Sequence, residues 1–310
     1  MLRKTIYLAA FVSISMFAVY AQDKAAAENA RAVLWEPVNI SARDVYWGAG
    51  GREMFPDLHR ATFVSRQTGG NNPKYRIKDR KGNEWIVKIA DESQPEVVAT
   101  RLLWAIGYKT EIDYIIPKFS MSNIDPRRYK NVRIEARPDK VKRLDQWNWT
   151  ANPFAEIREL NGLKIMMAMF NNWDLKDENN VILSTGDEHH YVISDLGSSF
   201  GRLAKESTSR SGRSVNKPEH YAESNFVKGV NGGQLEFDYV GKADHLIKGI
   251  PVEHGRWLAD LLLQLSDKQI ADAFRAANYP AEDVALLSNA FKSRIAQLDR
   301  ATRSQTAAAS

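Results

Sequence analysis

Between residues 61 and 120 apolar and polar positions alternate in short runs broken by turn residues. Ala61 to Arg66 reads as a strand, and Gln67-Thr68-Gly69-Gly70-Asn71-Asn72-Pro73 as a turn-rich break. Lys74-Tyr75-Arg76-Ile77-Lys78 alternates as a half-buried strand does, and Asp79 to Asn83 predicts a hairpin turn. Glu84 to Ala90 gives a third strand. From Pro95 the period changes: Val97, Val98, Leu102 and Ala105 recur on helical faces up to Gly107, a residue that stops helices. Another short strand is expected from Asp113 to Ser120.

The second half has longer periods. Phe154 to Phe170 reads as a helix whose last turns, Leu163 to Phe170, are nearly all apolar, as in a buried helix. Asn171 to Asn180 is a polar loop and Val181-Ile182-Leu183 a short strand. A turn containing Gly186 follows, then a returning strand, His190 to Ser194, that runs into Asp195-Leu196-Gly197. Residues 198–236, rich in Ser, Gly, Lys and Arg, read as loop, and roughly 244–300 as helices. Residues 22–60 form a lead-in, 121–150 match no element, and 301–310 read as a disordered tail.

The N-terminus needs separate treatment. Arg3 and Lys4 precede an apolar run from Ile6 to Val19, and Val19-Tyr20-Ala21 places small residues where a signal peptidase cuts. The pattern predicts a signal peptide over 1–21, cleaved after Ala21, and a periplasmic or secreted protein. The run is shorter than the roughly 20 residues of a membrane span, and no later stretch is longer. The absence of cysteine excludes disulfides, thiol nucleophiles and Cys-ligated zinc. A net charge of +5 is a weak bias, which does not point to nucleic acid.

The chemistry concentrates in one segment. Asp174 lies five residues before Asn179, in the loop after the buried helix, and Asp195 leaves the following hairpin with Gly197 two residues on. Phosphoryl transfer uses such a set: one carboxylate to orient a hydroxyl, and a carbonyl oxygen and a second carboxylate as hard ligands for Mg²⁺. The segment resembles the protein-kinase-like superfamily, in which Asp174 to Asn179 has the spacing of the catalytic loop and Asp195-Leu196-Gly197 that of the metal-binding motif. Its atypical HipA, CotH and secretory-pathway members are nearer than ordinary Ser/Thr kinases.

The resemblance implies an α+β, two-lobed fold: a small β-rich nucleotide-binding N-lobe over 61–120 and a mainly helical C-lobe over 121–300. It implies ATP and Mg²⁺ as cofactors, Asp174 as the catalytic carboxylate, and Asn179 and Asp195 as metal ligands. Lys88 takes the position of the phosphate-binding lysine, with Glu96 or Glu92 as its partner. Gly69, Gly70 and Lys74 stand where a turn and a cation approach phosphates. The acceptor, whether protein, sugar or small molecule, is open. The chain departs from the family at Asn172-Trp173 in place of His-Arg, at Leu196 in place of Phe, and in its glycine turn. A non-catalytic binding module on the same fold, and a metal-dependent hydrolase on another, remain as alternatives.

Other features read as structural: Asp187 to His190 as a surface turn, Met166, Met167 and Met169 as core, and Trp147 and Trp149 as packing. The basic stretch Arg202, Lys205, Arg210, Arg213 and Lys217 reads as a solvated loop or a place for an acidic partner.

Overall fold

A computed structural model describes residues 30–68, 72–121, 125–204 and 212–306. The predicted signal peptide with its cleavage point, and Gly69 and Gly70, lie outside the described residues.

The expected strands and helix of the first half form. They are β2 (Thr62–Gln67), β3 (Lys74–Lys78), β4 (Glu84–Lys88), α1 (Ser93–Ala105) and β5 (Asp113–Met121), after a short β1 (Arg31–Val33) in the lead-in. β6 (Asp125–Arg137) joins them, and the antiparallel sheet runs in the order β2-β3-β4-β6-β5. The pleat sorts the side chains onto two faces. Ile77, Trp85, Val87, Tyr114, Ile134 and Ala136 make an apolar cluster that packs against Trp47, Met54 and Leu58 of the lead-in. The opposite face looks into the cleft between the lobes and is almost entirely charged.

The N-lobe therefore extends to Arg137 and not to residue 120. Val132, Ile134 and Ala136 alternate with Arg133, Glu135 and Arg137, so half of β6 reads as a polar segment although both faces are buried. Sequence periodicity assumes that the polar face meets water; here it meets other charges.

α1 stops at Gly107, which adopts φ +105°, and a Cβ there would lie 2.3 Å from the Glu36 carbonyl oxygen. Positive φ and close approach both require glycine. The lead-in ties the lobes together. Trp35 Nε1 donates to the Ile106 carbonyl (2.7 Å), and β1 pairs in parallel with β9 (Glu188–Ile193) of the C-lobe.

The C-lobe adds β7 (Lys142–Arg143), α2 (Arg158–Met169) and β8 (Asn180–Ser184), giving a sheet β1-β9-β8-β7. Trp147 and Trp149 are buried in its core in a T-shaped pair, and Trp147 Nε1 donates to the Val192 carbonyl. Residues 198–236 are not all loop. α3 (Pro218–Ala222) is followed by β10 (Val227–Asn231) and β11 (Gln234–Phe237), joined at Gly232-Gly233, and β12 (Ile250–Pro251) completes a small sheet. Strands this short give little periodic signal. Helices α4 (Val252–Leu262), α5 (Asp267–Ala276) and α6 (Ala281–Thr306) close the lobe: α2 packs on α4, α4 and α5 on α6, and α5 also on α1. α6 runs past the predicted start of the tail at 301. Thr302 is fully buried there, its hydroxyl donating to the Leu298 carbonyl. No described helix is long and apolar enough to cross a membrane.

Candidate functional site

The floor of the site begins where α2 ends. Asn171, at φ 55°, turns the chain out of the helix, a conformation Asn tolerates. Its side chain donates to the Gly201 carbonyl (2.7 Å) and accepts from the Arg294 guanidinium (2.8 Å). Arg294 is buried, reaches in from α6, and also donates to the Met169 carbonyl and to Ser224. One side chain thus caps the helix and anchors the polar loop. Within the loop, Asn172 Oδ1 accepts from the Asp174 amide (3.0 Å) and Asn179 Nδ2 donates to the Asp174 carbonyl (2.7 Å). The five-residue spacing of Asp174 and Asn179 is therefore closed by a direct bond.

Asp174 contacts two ammonium groups, Lys242 at 2.7 Å and Lys176 at 3.1 Å. Burial alone raises its pKa, but these lysines outweigh it and hold the carboxyl below the usual range. Lys242 belongs to a segment fastened along the loop: its amide donates to the Trp173 carbonyl, and Tyr239 Oη donates to the Asn172 carbonyl (2.6 Å).

Lys88, at the end of β4, is 2% exposed. Its Nζ lies 2.9 Å from Glu96, 3.3 Å from Glu92 and 3.3 Å from Asp195. Both candidate glutamates reach it; Glu96, from α1, is the nearer and the buried one. Burial by itself lowers the Lys88 pKa, but Glu96 and Asp195 hold it above its ordinary value. Glu96 also meets Arg133 of β6 at 2.9 Å. Arg133, buried among Glu96, Glu111, Asp113 and Glu135, is the group that sequence reading missed. The signal available was its position within an alternating run.

Burial pushes the Glu96 carboxyl up to about 7, against the pull of Arg133 and Lys88. With an unfolded value near 4.5, the folded chain holds an extra proton on Glu96 between those pH values. The contribution of this group to stability therefore falls as pH rises from about 4.5 to 7. Glu96→Gln is expected to flatten that part of the stability profile; urea unfolding at several pH values across the window reads it, and an unchanged slope would assign the dependence elsewhere.

Asp195 closes the site. Its Oδ1 accepts from the Gly197 amide (3.3 Å) and faces Lys88. Gly197 passes so close to the start of α1 that a Cβ would lie 2.6 Å from Glu92 Cβ. Gly197→Ala is expected to cost about 1–3 kcal/mol, by overpacking where the loop meets α1; calorimetry of the variant checks it. Asp195 and Asn179 line one cavity with Lys88 and Lys74, and Asp174, Asn179 and Asp195 share a smaller one. Neither Asn179 Oδ1 nor the second Asp195 oxygen accepts a hydrogen bond among the described residues, so two hard oxygens are free for a divalent ion.

The structure therefore brings Lys74, Lys88, Glu96, Asp174, Asn179 and Asp195 to the cleft between the lobes. A more apolar cavity of about 280 Å³, lined by Trp104, Tyr108, Pro138 and Leu183, adjoins the cleft and shares Arg137 and Arg143 with it. His190 bonds Glu188 (2.6 Å), beside Arg31 and Lys109, where β1 pairs with β9.

The architecture matches a solved structure, that of the Helicobacter pylori proinflammatory kinase CtkA. The match covers 83% of this chain and 99% of that one, with a TM-score of 0.53. The fold is protein-kinase-like. Identity over the match is 13%, so the likeness speaks to the kinase-like fold alone. No family model and no curated protein matches the chain. Within a kinase-like frame the β4 lysine, the α1 glutamate and the hairpin aspartate converge from three separate segments, which the short motifs in isolation do not require.

Proposed function

We propose that the chain is a Mg²⁺-dependent phosphotransferase, moving the terminal phosphoryl group of a phosphoanhydride donor such as ATP to a hydroxyl acceptor. The observation that carries this reading is the position of the Lys88 ammonium, 2.9 Å from Glu96 and 3.3 Å from Asp195, in a cleft that Asn179 also lines. Lys88 would hold the donor's phosphates, and Asn179 and Asp195 would hold the metal, which neutralises phosphate charge when bound. Asp174, kept ionised by Lys242 and Lys176, would orient the acceptor hydroxyl and take its proton. We further propose, from the N-terminal pattern, that the protein acts in the periplasm or outside the cell. N-terminal sequencing of the exported protein tests that.

The engagement of both Asp174 oxygens by lysines favours a second reading, a binding module without turnover. Incubation with Mg²⁺ and terminally labelled ATP separates the two. The proposed function predicts label release or transfer by the native chain, and a loss of about 100-fold or more in Asp174→Asn. Binding without any turnover would leave the module.

A further inference from the structure

The cavity beside the cleft, of about 280 Å³, is walled from three parts of the chain. Trp104 stands near the end of α1, and Tyr108 and Ile112 lie between α1 and β5. Pro138 and Val141 belong to the connection between β6 and β7, and Leu183 to β8. Val141 and Leu183 pack in a small apolar cluster separate from the main core. The lead-in supplies Arg43. Small-molecule sites are mostly apolar hollows of this kind with a few fixed polar groups. At about 30 Å³ per water in the liquid, the space equals about nine waters, or a molecule of about ten non-hydrogen atoms.

The charges around the cavity decide the chemistry. Glu36 meets Lys109 at 2.7 Å and also Arg31, and His190 bonds Glu188. Glu111 meets Arg143 and Arg133, and Glu135 meets Arg137 and Arg143. Each of these groups has its opposite charge. Arg43 differs: no carboxylate is paired with it among the described residues, and burial pulls its pKa down with no carboxylate to offset the pull. Its guanidinium lies 4.2 Å over the Trp104 ring and donates to the Trp104 carbonyl, the one acceptor it has among the described residues. A guanidinium carries five N–H donors in a fork that matches a carboxylate. The backbone that carries it is fixed, because Gln269 Nε2 of α5 donates to the carbonyls of Ile40 (2.7 Å) and Arg43 (3.0 Å). One unpaired cation beside an apolar cavity suits one negative charge on an apolar body. A phosphate dianion would add a second charge with no cation of its own, beside the Glu36 and Glu111 carboxylates of the lining.

We propose that this cavity is a second ligand site, which takes a small amphipathic monocarboxylate of about ten non-hydrogen atoms. The carboxylate pairs with Arg43, and the apolar body lies against Trp104, Tyr108, Pro138 and Leu183. The walls come from both lobes and the lead-in, so the ligand is held where the lobes meet. The site is separate from Lys88, Asp174, Asn179 and Asp195 and does not rest on the phosphotransferase reading.

The test is calorimetric titration of the purified protein by phenylacetate, by octanoate and by neutral 1-octanol, with and without Mg²⁺ and ATP. At least one acid is expected to bind with a Kd of about 1 mM or tighter, and 1-octanol about tenfold or more weaker than that acid. The tighter acid tells whether a ring or a chain fills the apolar part. Arg43→Gln is expected to lose about tenfold in acid affinity, the usual effect of one charged hydrogen bond, and a melting curve reports whether that variant folds. Should it not fold, Ala49→Trp, at an exposed position in the lining, is expected to block the cavity and remove binding. Binding of neither acid in that range overturns the proposal. So does equal affinity for 1-octanol, which would mean that the carboxylate is not recognised, and so does unchanged acid affinity in folded Arg43→Gln or in Ala49→Trp. Displacement of the acid by Mg²⁺ and ATP would make the cavity part of the nucleotide's own site and also overturns it, while leaving the phosphotransferase reading intact.

Discussion

Arg133→Leu is expected to lower the free energy of unfolding by about 3–5 kcal/mol, the range for removing one partner from a buried ionic cluster. Arg133 is 4% exposed and lies within 3.4 Å of four carboxylates, those of Glu96, Glu111, Asp113 and Glu135. All four are themselves buried. Removing the guanidinium leaves them facing one another, with Lys88, Arg101, Arg137 and Arg143 as the remaining cations in contact. Arg133→Lys is expected to recover part of the loss, because an ammonium keeps the charge but reaches fewer of the four than a planar fork does. Urea unfolding of the two variants reads the difference. Measured above pH 7, where Glu96 is ionised, equal stability of the leucine variant and the native chain would mean that the cluster is not ionic.

Asp195→Asn is expected to separate activity from stability. On the proposed function it removes a metal ligand and lowers phosphoryl transfer by about 100-fold or more. The folded chain should tolerate it, at a cost of no more than about 1 kcal/mol, as for a pair open to water. The reason is geometric: the Asp195 side chain is 36% exposed, and Lys88 keeps Glu96 at 2.9 Å and Glu92 at 3.3 Å when that carboxylate is gone. Transfer of labelled phosphate, measured beside a melting curve, gives both numbers from one preparation. Retention of full activity would take Asp195 out of the metal site.

The two variants probe opposite ends of one constellation, and they differ in how far sequence reaches. Asp195 is legible because its context is local: a returning strand, then a turn with Gly197. The structure adds the reason for that glycine, since the chain there touches Glu92. Asp174 and Asn179 are legible for the same reason, and the bond between them lies within one loop. Arg133 is not legible in this way. It sits in a strand whose inward face is charged, and period-two reading treats charged positions as solvent-facing. The same misreading placed the lobe boundary near 120 and not at Arg137. Arg294 and Lys242 were missed because their partners, Asn171 and Asp174, are more than sixty residues away in the chain.

The sequence by itself determined the elements and the local motifs: the alternating strands, the helix stopped at Gly107, the buried helix before the polar loop, and the spacing of Asp174, Asn179 and Asp195. Those depend on side-chain period, turn chemistry and backbone freedom, which act over a few residues. Only the tertiary structure decided that Lys88, Glu96 and Asp195 meet, that both Glu92 and Glu96 reach the lysine, that Lys242 lies on Asp174, and that the cleft is roofed by arginines. Each of those is a charge–charge contact between distant segments. Such contacts are fixed by how the sheet and helices bury their apolar faces, and a one-dimensional pattern carries no distance across the cleft.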